Sequence, residues 1–131
     1  MKRHIHNPWT WQDRRGFVQA NEVQGADRIL FCSGQVSFDA DGRLVHAGDM
    51  LGQIEKAIDN LEEVLASADM TLADVMRVKI FTTDCKAFLE HFDRFNERLD
   101  AAGCQQASTL IGVAHLAHPD LLLELEATAA A

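Results

Sequence analysis

One apolar run constrains the fold of this chain more than any other feature of its sequence. Residues 29–32 read Ile-Leu-Phe-Cys and present no polar face, and Ser33, Gly34 and Gln35 follow at once. Such a run is typical of a strand that is buried on both sides. The glycine at its end has two interpretations, a β-bulge or a point where the backbone comes close to a ligand.

The size and charge of the chain narrow the classes of protein to which it can belong. Its 131 residues suit a single domain over 1–131. The formal net charge is −8, from 12 basic and 20 acidic residues, so the chain repels a phosphate backbone and nucleic acid is not an expected partner. No apolar run approaches the ~20 residues that span a membrane. The cysteines Cys32, Cys85 and Cys104 are too widely spaced for a disulfide framework. We therefore expect a cytoplasmic protein with no membrane association.

Hydrophobic periodicity predicts the order β-β-α-β-α-β-β after an N-terminal arm. Segments 16–23 and 28–38 read as two strands of a hairpin, joined by a turn at residues 25–27. Asp49 caps a helix whose apolar positions recur every three or four residues up to Ala68. The other predicted elements are an edge strand or ordered arm over 4–11, a strand over 75–82, a helix over 84–103, and strands over 107–115 and 121–127.

The predicted sheet has more apolar surface than the predicted helices can cover. Two helices of this length shield one face of a sheet, yet several strands direct apolar side chains toward both faces. A symmetric homo-oligomer is the simplest way to cover the second face.

Five segments of the chain resemble the RidA/YjgF family of imine and enamine deaminases. They are 17–20 (Phe-Val-Gln-Ala), 30–35 (Leu-Phe-Cys-Ser-Gly-Gln), 57–61 (Ala-Ile-Asp-Asn-Leu), 78–84 (Val-Lys-Ile-Phe-Thr-Thr-Asp) and 123–127 (Leu-Glu-Leu-Glu-Ala). The resemblance implies an α+β, chorismate-mutase-like fold, with two helices packed on one face of a mixed β-sheet. It also implies a homotrimer with small-molecule clefts between subunits. We expect no cofactor and no metal.

The resemblance also implies roles for particular residues. In RidA-type enzymes a water molecule attacks an imine carbon, and ammonia and a 2-keto acid are released. Ser33 and Gly34 match the substrate-binding positions of the family, and Glu124 matches the position of the acid/base carboxylate.

Three other positions depart from the family pattern. Ser108 stands where such enzymes have an arginine that binds the substrate carboxylate, Leu110 where many have cysteine, and Phe17 where tyrosine is usual. A serine cannot replace the charge of a guanidinium group. The chain therefore resembles the arginine-lacking branch of the family, and we expect a substrate other than 2-aminoacrylate-derived imines. Phe17 and Leu110 favour a larger or uncharged ligand.

Two interpretations stay open for the charged residues. Without the resemblance, Glu124 reads as a solvated residue on an alternating edge strand; with it, the residue belongs to a cleft. Arg14 and Arg15 read as a solvated pair, or as a pair of which one leans over the cleft and partly restores the missing cation. Neither His4 with His6 nor His115 with His118 makes a zinc site, because two ligands are too few.

The sequence leaves two main functional hypotheses. The first is a hydrolase of the imine/enamine deaminase type, in which Glu124 activates water. The alternative is a non-catalytic trimer of the same fold that binds a small metabolite. Ribonuclease activity, attributed to some relatives, fits poorly with a net charge of −8 and no basic track.

Overall fold

The computed structural model describes all 131 residues, Met1–Ala131, and contains six strands and three α-helices. Two short 3-10 helices, Trp11–Arg15 and Leu72–Asp74, complete the secondary structure. The strands are β1 Lys2–His6, β2 Ala20–Gln24, β3 Ile29–Gln35, β4 Val75–Thr82, β5 Ala107–Gly112 and β6 Leu123–Ala130, and the helices are α1 Met50–Ala66, α2 Cys85–Glu90 and α3 Phe92–Ala101.

The central sheet has the strand order β3-β6-β4-β5, so the last strand of the chain occupies an inner position. β6 pairs antiparallel with β3 on one side and with β4 on the other. β4 and β5 are parallel, and α2 and α3 lie in the connection between them, as a parallel pair requires. The predicted α+β fold with a mixed sheet is confirmed.

Alternation along β6 determines which face of the sheet becomes the core. Leu123, Leu125, Ala127 and Ala129 are almost fully buried, whereas the residues between them are only half-buried. The buried side packs against α1, whose Ile54, Ala57, Ile58, Leu61 and Leu65 belong to the same hydrophobic cluster. The helices cover one face of the sheet because β6 has only one apolar face.

The predicted first helix is confirmed, including its N-cap. The Asp49 carboxylate accepts a hydrogen bond from Gly52 N at 2.9 Å, which satisfies one of the free N–H groups of the first turn.

The predicted helix over 84–103 is two helices. Asp84 caps α2 as expected, since its carboxylate accepts a hydrogen bond from Ala87 N, but the helix ends at Glu90 and α3 begins at Phe92. His91 lies between them with a non-helical backbone, and its N–H turns back to Phe88 O. The two helices still share one apolar face across the break. Phe88, Phe92 and Phe95 form a single cluster on it, with ring centroids 5.4–6.5 Å apart.

The predicted hairpin between segments 16–23 and 28–38 is wrong. β2 pairs with β1 in a separate two-stranded sheet, and β3 pairs with β6. The turn near Gly25 therefore leads from one sheet into the other. The arm was predicted over 4–11, but its strand ends at His6, and Trp11 begins a 3-10 helix.

The apolar run in β3 is buried on one side of the sheet in this chain, not on both as predicted. Cys32 points toward the helices and is 5% exposed, whereas Ile29 and Phe31 are 60% and 79% exposed on the opposite face. We call this uncovered side of the central sheet, which also includes Phe81, Glu124 and Glu126, the open face. No helix covers the open face, because all three helices lie on the other side.

Arg3 attaches the two-stranded sheet to the rest of the protein. Its guanidinium group donates to Asn21 Oδ1 at 2.9 Å and to the carbonyl oxygens of Ala73 and Val75, both at 3.1 Å. It also contacts the carbonyl oxygen of Gln105. One side chain thus satisfies acceptors from three separate parts of the chain.

We expect Arg3→Ala to destabilise the protein by about 2 kcal/mol, because the variant loses charged hydrogen bonds and leaves their acceptors unsatisfied. Lys2→Ala, at an exposed position on the same strand, is the control and should stay within about 0.5 kcal/mol of wild type. Urea unfolding followed by circular dichroism measures both. Equal unfolding midpoints for the two variants would contradict this role of Arg3.

Candidate functional site

The backbone of β3 is irregular where the apolar run ends. β3 follows a regular register with β6 from Ile29 to Cys32, and the register shifts before Gln35 pairs with Leu125. Ser33 and Gly34 fill this irregularity, which is the β-bulge interpretation of the sequence. A bulge re-aims the backbone at this position, and here it brings Gly34 under a side chain of β6.

That side chain is Glu124. A Cβ atom built on Gly34 would lie 2.5 Å from Glu124 Cδ and would overlap the carboxylate oxygen Oε1. The carboxylate therefore rests directly on the backbone at Gly34, a position that only glycine leaves open. The family resemblance gives Ser33, Gly34 and Glu124 roles in substrate binding and catalysis, and the structure places Gly34, with its neighbour Ser33, next to Glu124.

Glu124 is half-buried and lies on an inner strand, which rules out the edge-strand interpretation. It faces Phe81 across the β4–β6 pair, and β3 runs on its other side. The neighbouring Glu126 on the same face pairs with Lys79 Nζ at 3.0 Å. No cation lies within 4 Å of Glu124, so this carboxylate is free to accept a proton or a hydrogen bond.

The other predicted residues meet in a second place, a surface pocket of about 510 Å³ at the edge of the central sheet. Ser108 and Leu110 lie on the edge strand β5, opposite Val78 and Ile80 of β4. Phe17 lies across from them. Both Arg14 and Arg15 also line this pocket, so the two arginines accompany Ser108 and not Gly34.

The N-terminal segment is fixed against β5 by backbone and side-chain contacts. Val18 forms a parallel bridge with Ala107, and its N–H donates to Gln106 O at 3.0 Å. The Gln106 side chain, 1% exposed, donates from Nε2 to Gly16 O at 2.8 Å. These contacts explain why Phe17 and the preceding arginines stand beside Ser108.

Within one chain, the two groups of residues lie on opposite faces of the sheet. Ser108 pairs in register with the buried Val78, so it is on the helix side, whereas Glu124 is on the open face. β4 separates their strands, which places them at least about 10 Å apart at the usual strand spacing. A single chain therefore contains two half-sites: Ser33, Gly34 and Glu124 in one, and Arg14, Arg15, Phe17, Ser108 and Leu110 in the other.

Three buried glutamines, which the sequence interpretation did not single out, hold the loops around these half-sites. Gln106 donates to Gly16 O at 2.8 Å. Gln53 of α1 donates to Asp120 O at 2.9 Å and accepts from Leu122 N at 2.8 Å, which positions the entry to β6. Gln12 donates to Trp9 O at 2.7 Å. The only sequence signal is an amide residue next to apolar core positions, such as Gln53 beside Ile54.

None of the buried thiols is suited to be a nucleophile. Burial raises the pKa of Cys104 to about 12, and burial also raises the pKa of Cys32. Thiolate is the reactive form, so both remain protonated near neutral pH. Cys104 is 3% exposed because it packs into the core cluster.

No three or more His, Cys, Asp or Glu side chains are grouped so that they could hold a metal ion. His6 instead contacts Glu22, with 2.7 Å between Nε2 and Oε2. None of the helices combines the length and the apolar character needed to cross a membrane.

Comparison with known proteins identifies the family. The family model described as Endoribonuclease L-PSP matches residues 12–131. The chain belongs to this family, which is also known as the RidA/YjgF family. The predicted resemblance is thus confirmed at the level of the family.

Three relatives illustrate the similarity. The crystal structure of YyfB from Yersinia pestis, a Rid-family protein of unknown function, is 37% identical and has a TM-score of 0.88, and the match covers 100% of both chains. RutC family protein UK114 of Drosophila melanogaster is 32% identical over 113 residues, or 83% of this chain and 77% of that protein. Protein DfrA of Myxococcus xanthus is 36% identical over 81 residues, or 62% of this chain and 58% of that protein.

The contact between Gly34 and Glu124 can be tested by a double-mutant cycle. We expect Gly34→Ala to force Glu124 out of its rotamer at a cost of about 1 kcal/mol. In a Glu124→Ala background that cost should vanish, because the overlapping carboxylate is gone. Urea unfolding of the four proteins measures the coupling.

Glu126→Ala is the matched background for this cycle, since Glu126 lies on the same strand and the same face. There the cost of Gly34→Ala should persist. If the substitution costs the same in all three backgrounds, the two residues are not coupled.

Proposed function

We propose that this protein is a hydrolase that deaminates a reactive imine or enamine in a cleft between the subunits of a homotrimer. The observation that carries the proposal is the Glu124 carboxylate, which rests on the Gly34 backbone of the open face and has no cation within 4 Å. Membership of the RidA/YjgF family supports this use of the site. The three free cysteines fit a reducing compartment such as the cytoplasm.

The division into two half-sites supports an intersubunit cleft. Glu124 and Ser108 face opposite sides of the sheet in one chain, so no small ligand contacts both within that chain. Covering the open face with a second subunit would bury Ile29 and Phe31. In the proposed assembly the same contact places another copy of the Ser108 half-site beside Glu124. Exposed apolar surface of this kind is typical of association surfaces.

The proposed reaction adds water across a carbon–nitrogen double bond. Glu124 accepts a proton from water as its oxygen bonds to the imine carbon, and the same carboxylate returns the proton to nitrogen. The carbon–nitrogen bond of this carbinolamine then breaks as Glu124 takes the proton of the hydroxyl group and passes it to the departing nitrogen, so one imine and one water give one carbonyl compound and one ammonia. Ser33 and the backbone at Gly34 hold the substrate beside the carboxylate.

A non-catalytic trimer that binds a metabolite in the same cleft is the second candidate. It is favoured by Ser108, which puts a neutral hydroxyl where the RidA pattern has the carboxylate-binding arginine. The endoribonuclease named in the family description is not proposed here, because the net charge of −8 opposes RNA binding.

We expect Glu124→Gln to lower the rate of ammonia release by at least about a hundredfold for any imine that the wild-type protein hydrolyses. The reason is that the glutamine amide cannot transfer the proton. Imines generated in situ from a panel of amino acids, with enzymatic detection of ammonia, provide the assay. Glu126→Gln is the matched control and should retain activity close to wild type, because Glu126 pairs with Lys79 instead.

The same assay separates the two candidates. Ammonia release that is equal in wild type and Glu124→Gln would refute catalysis by this carboxylate. Absence of turnover across the panel, together with saturable ligand binding that survives Glu124→Ala, would establish the binding protein.

The proposed assembly makes a separate prediction. Wild type should sediment at three times the 14.5 kDa mass of one chain, and Phe31→Glu should sediment as a single chain, because a charge cannot be buried unpaired in the interface. Lys86→Glu, on the exposed surface of α2, is the control and should leave the trimer intact. Analytical ultracentrifugation measures all three, and a monomeric wild type would refute the trimer.

A further inference from the structure

The pocket beside Ser108 has an unusual composition for so acidic a chain. Its walls include five hydrophobic residues, and its charged residues are Arg14 and Arg15, with no Asp or Glu among them. The chain as a whole has 20 acidic and 12 basic residues. A largely apolar cavity whose only charged side chains are cations fits an anion with an apolar body.

The two arginines differ in their surroundings. Arg14 also lines a neighbouring recess of about 320 Å³ that contains Asp13, Asp93 and Asp100, and these carboxylates lower the local potential around its charge. Arg15 does not line that recess, and no carboxylate oxygen lies within 4 Å of either guanidinium group. Of the two arginines, Arg15 is the one that lines the Ser108 pocket without also lining the acidic recess.

The guanidinium group of Arg15 lies over an aromatic ring, and its backbone is bonded to a neighbouring helix. Its guanidinium carbon lies 5.7 Å from the ring centroid of Trp11, a cation–π distance, and Trp11 packs edge-on against Phe17 with centroids 5.9 Å apart. Its carbonyl oxygen accepts a hydrogen bond from Asn96 Nδ2 at 3.2 Å. A cation fixed in this way loses less entropy when it binds an anion.

The next residue fixes the backbone further. Gly16 has a left-handed conformation, with φ = 70°, and a Cβ at this position would lie 2.7 Å from the Asn96 side chain. Only glycine suits both constraints.

We propose that Arg15 binds the carboxylate of a 2-imino acid that has a large apolar side chain, and that this side chain occupies the pocket beside Ser108. The volume of about 510 Å³ and the walls formed by Phe17, Phe92 and Leu110 suit an aromatic group better than a methyl group. The cation thus comes from the N-terminal segment instead of from position 108. This inference rests on the proposed use of the cleft as a ligand site, but not on turnover.

Titration calorimetry with stable 2-oxo acids tests the inference. Phenylpyruvate should bind wild type more tightly than pyruvate, which lacks the apolar body, and than phenylacetone, which lacks the carboxylate. Arg15→Gln should weaken phenylpyruvate binding by about tenfold or more and leave phenylacetone binding unchanged, since only the charge-assisted contact is removed. Added salt should weaken the binding of phenylpyruvate to wild type.

Two further variants make the result specific. Arg14→Gln should weaken phenylpyruvate binding less than Arg15→Gln does, and Arg43→Gln, on an exposed loop away from the pocket, should bind like wild type. The inference is overturned if Arg15→Gln binds phenylpyruvate like wild type, if Arg14→Gln is the weaker binder, or if phenylacetone binds as tightly as phenylpyruvate. Absence of phenylpyruvate binding to wild type at millimolar concentration also overturns it.

The outcome is separable from that of the hydrolase proposal. Glu124→Gln should still bind phenylpyruvate, because Glu124 is assigned to proton transfer. If binding depends on Arg15 but no imine yields ammonia, the inference stands and the hydrolase fails. If ammonia is released from an imine and Arg15→Gln changes neither binding nor rate, the hydrolase stands and the inference fails.

Discussion

The alternation of apolar and polar side chains along β6 is the constraint on which the rest of this structure depends. Leu123 and Leu125 are buried against the helices, so Glu124 and Glu126 must face the other way. Because β6 pairs on both edges, a slip by one residue would move two carboxylates into the core, and the register is therefore strongly specified. The position of the candidate acid/base group follows from burial of its neighbours, before any chemistry is considered.

The bulge in β3 creates the candidate site next to Glu124. An unbroken β3 would place a side chain beside Glu124, whereas the irregularity between Cys32 and Gln35 places Gly34 there. The carboxylate can then lie against bare backbone. The two interpretations of this glycine are thus compatible, since the bulge is the means by which backbone is exposed at the site.

The second half-site is organised differently, through the N-terminal segment. Val18 bridges to the edge strand β5, and the buried Gln106 holds Gly16, so that Phe17 and Arg15 are carried to Ser108. The half-sites use opposite faces of one sheet, so a single chain does not bring them together. The N-terminal segment thus supplies a cation near Ser108, although β5 has no arginine at that position.

Local signals in the sequence determined the elements that depend on neighbouring residues. The Asp49 cap, the periodicity of α1 and the alternation in β4 and β6 all predicted the observed elements, because each reports contacts within a turn or along a strand. The resemblance to the family identified Ser33, Gly34 and Glu124 as candidate site residues. The tertiary structure alone decided that β3 pairs with β6 instead of β2, that α2 and α3 separate at His91, and that Ser108 and Glu124 face opposite sides. Strand pairing depends on backbone hydrogen bonds and apolar burial between segments almost a hundred residues apart, and no local pattern of side chains encodes that choice.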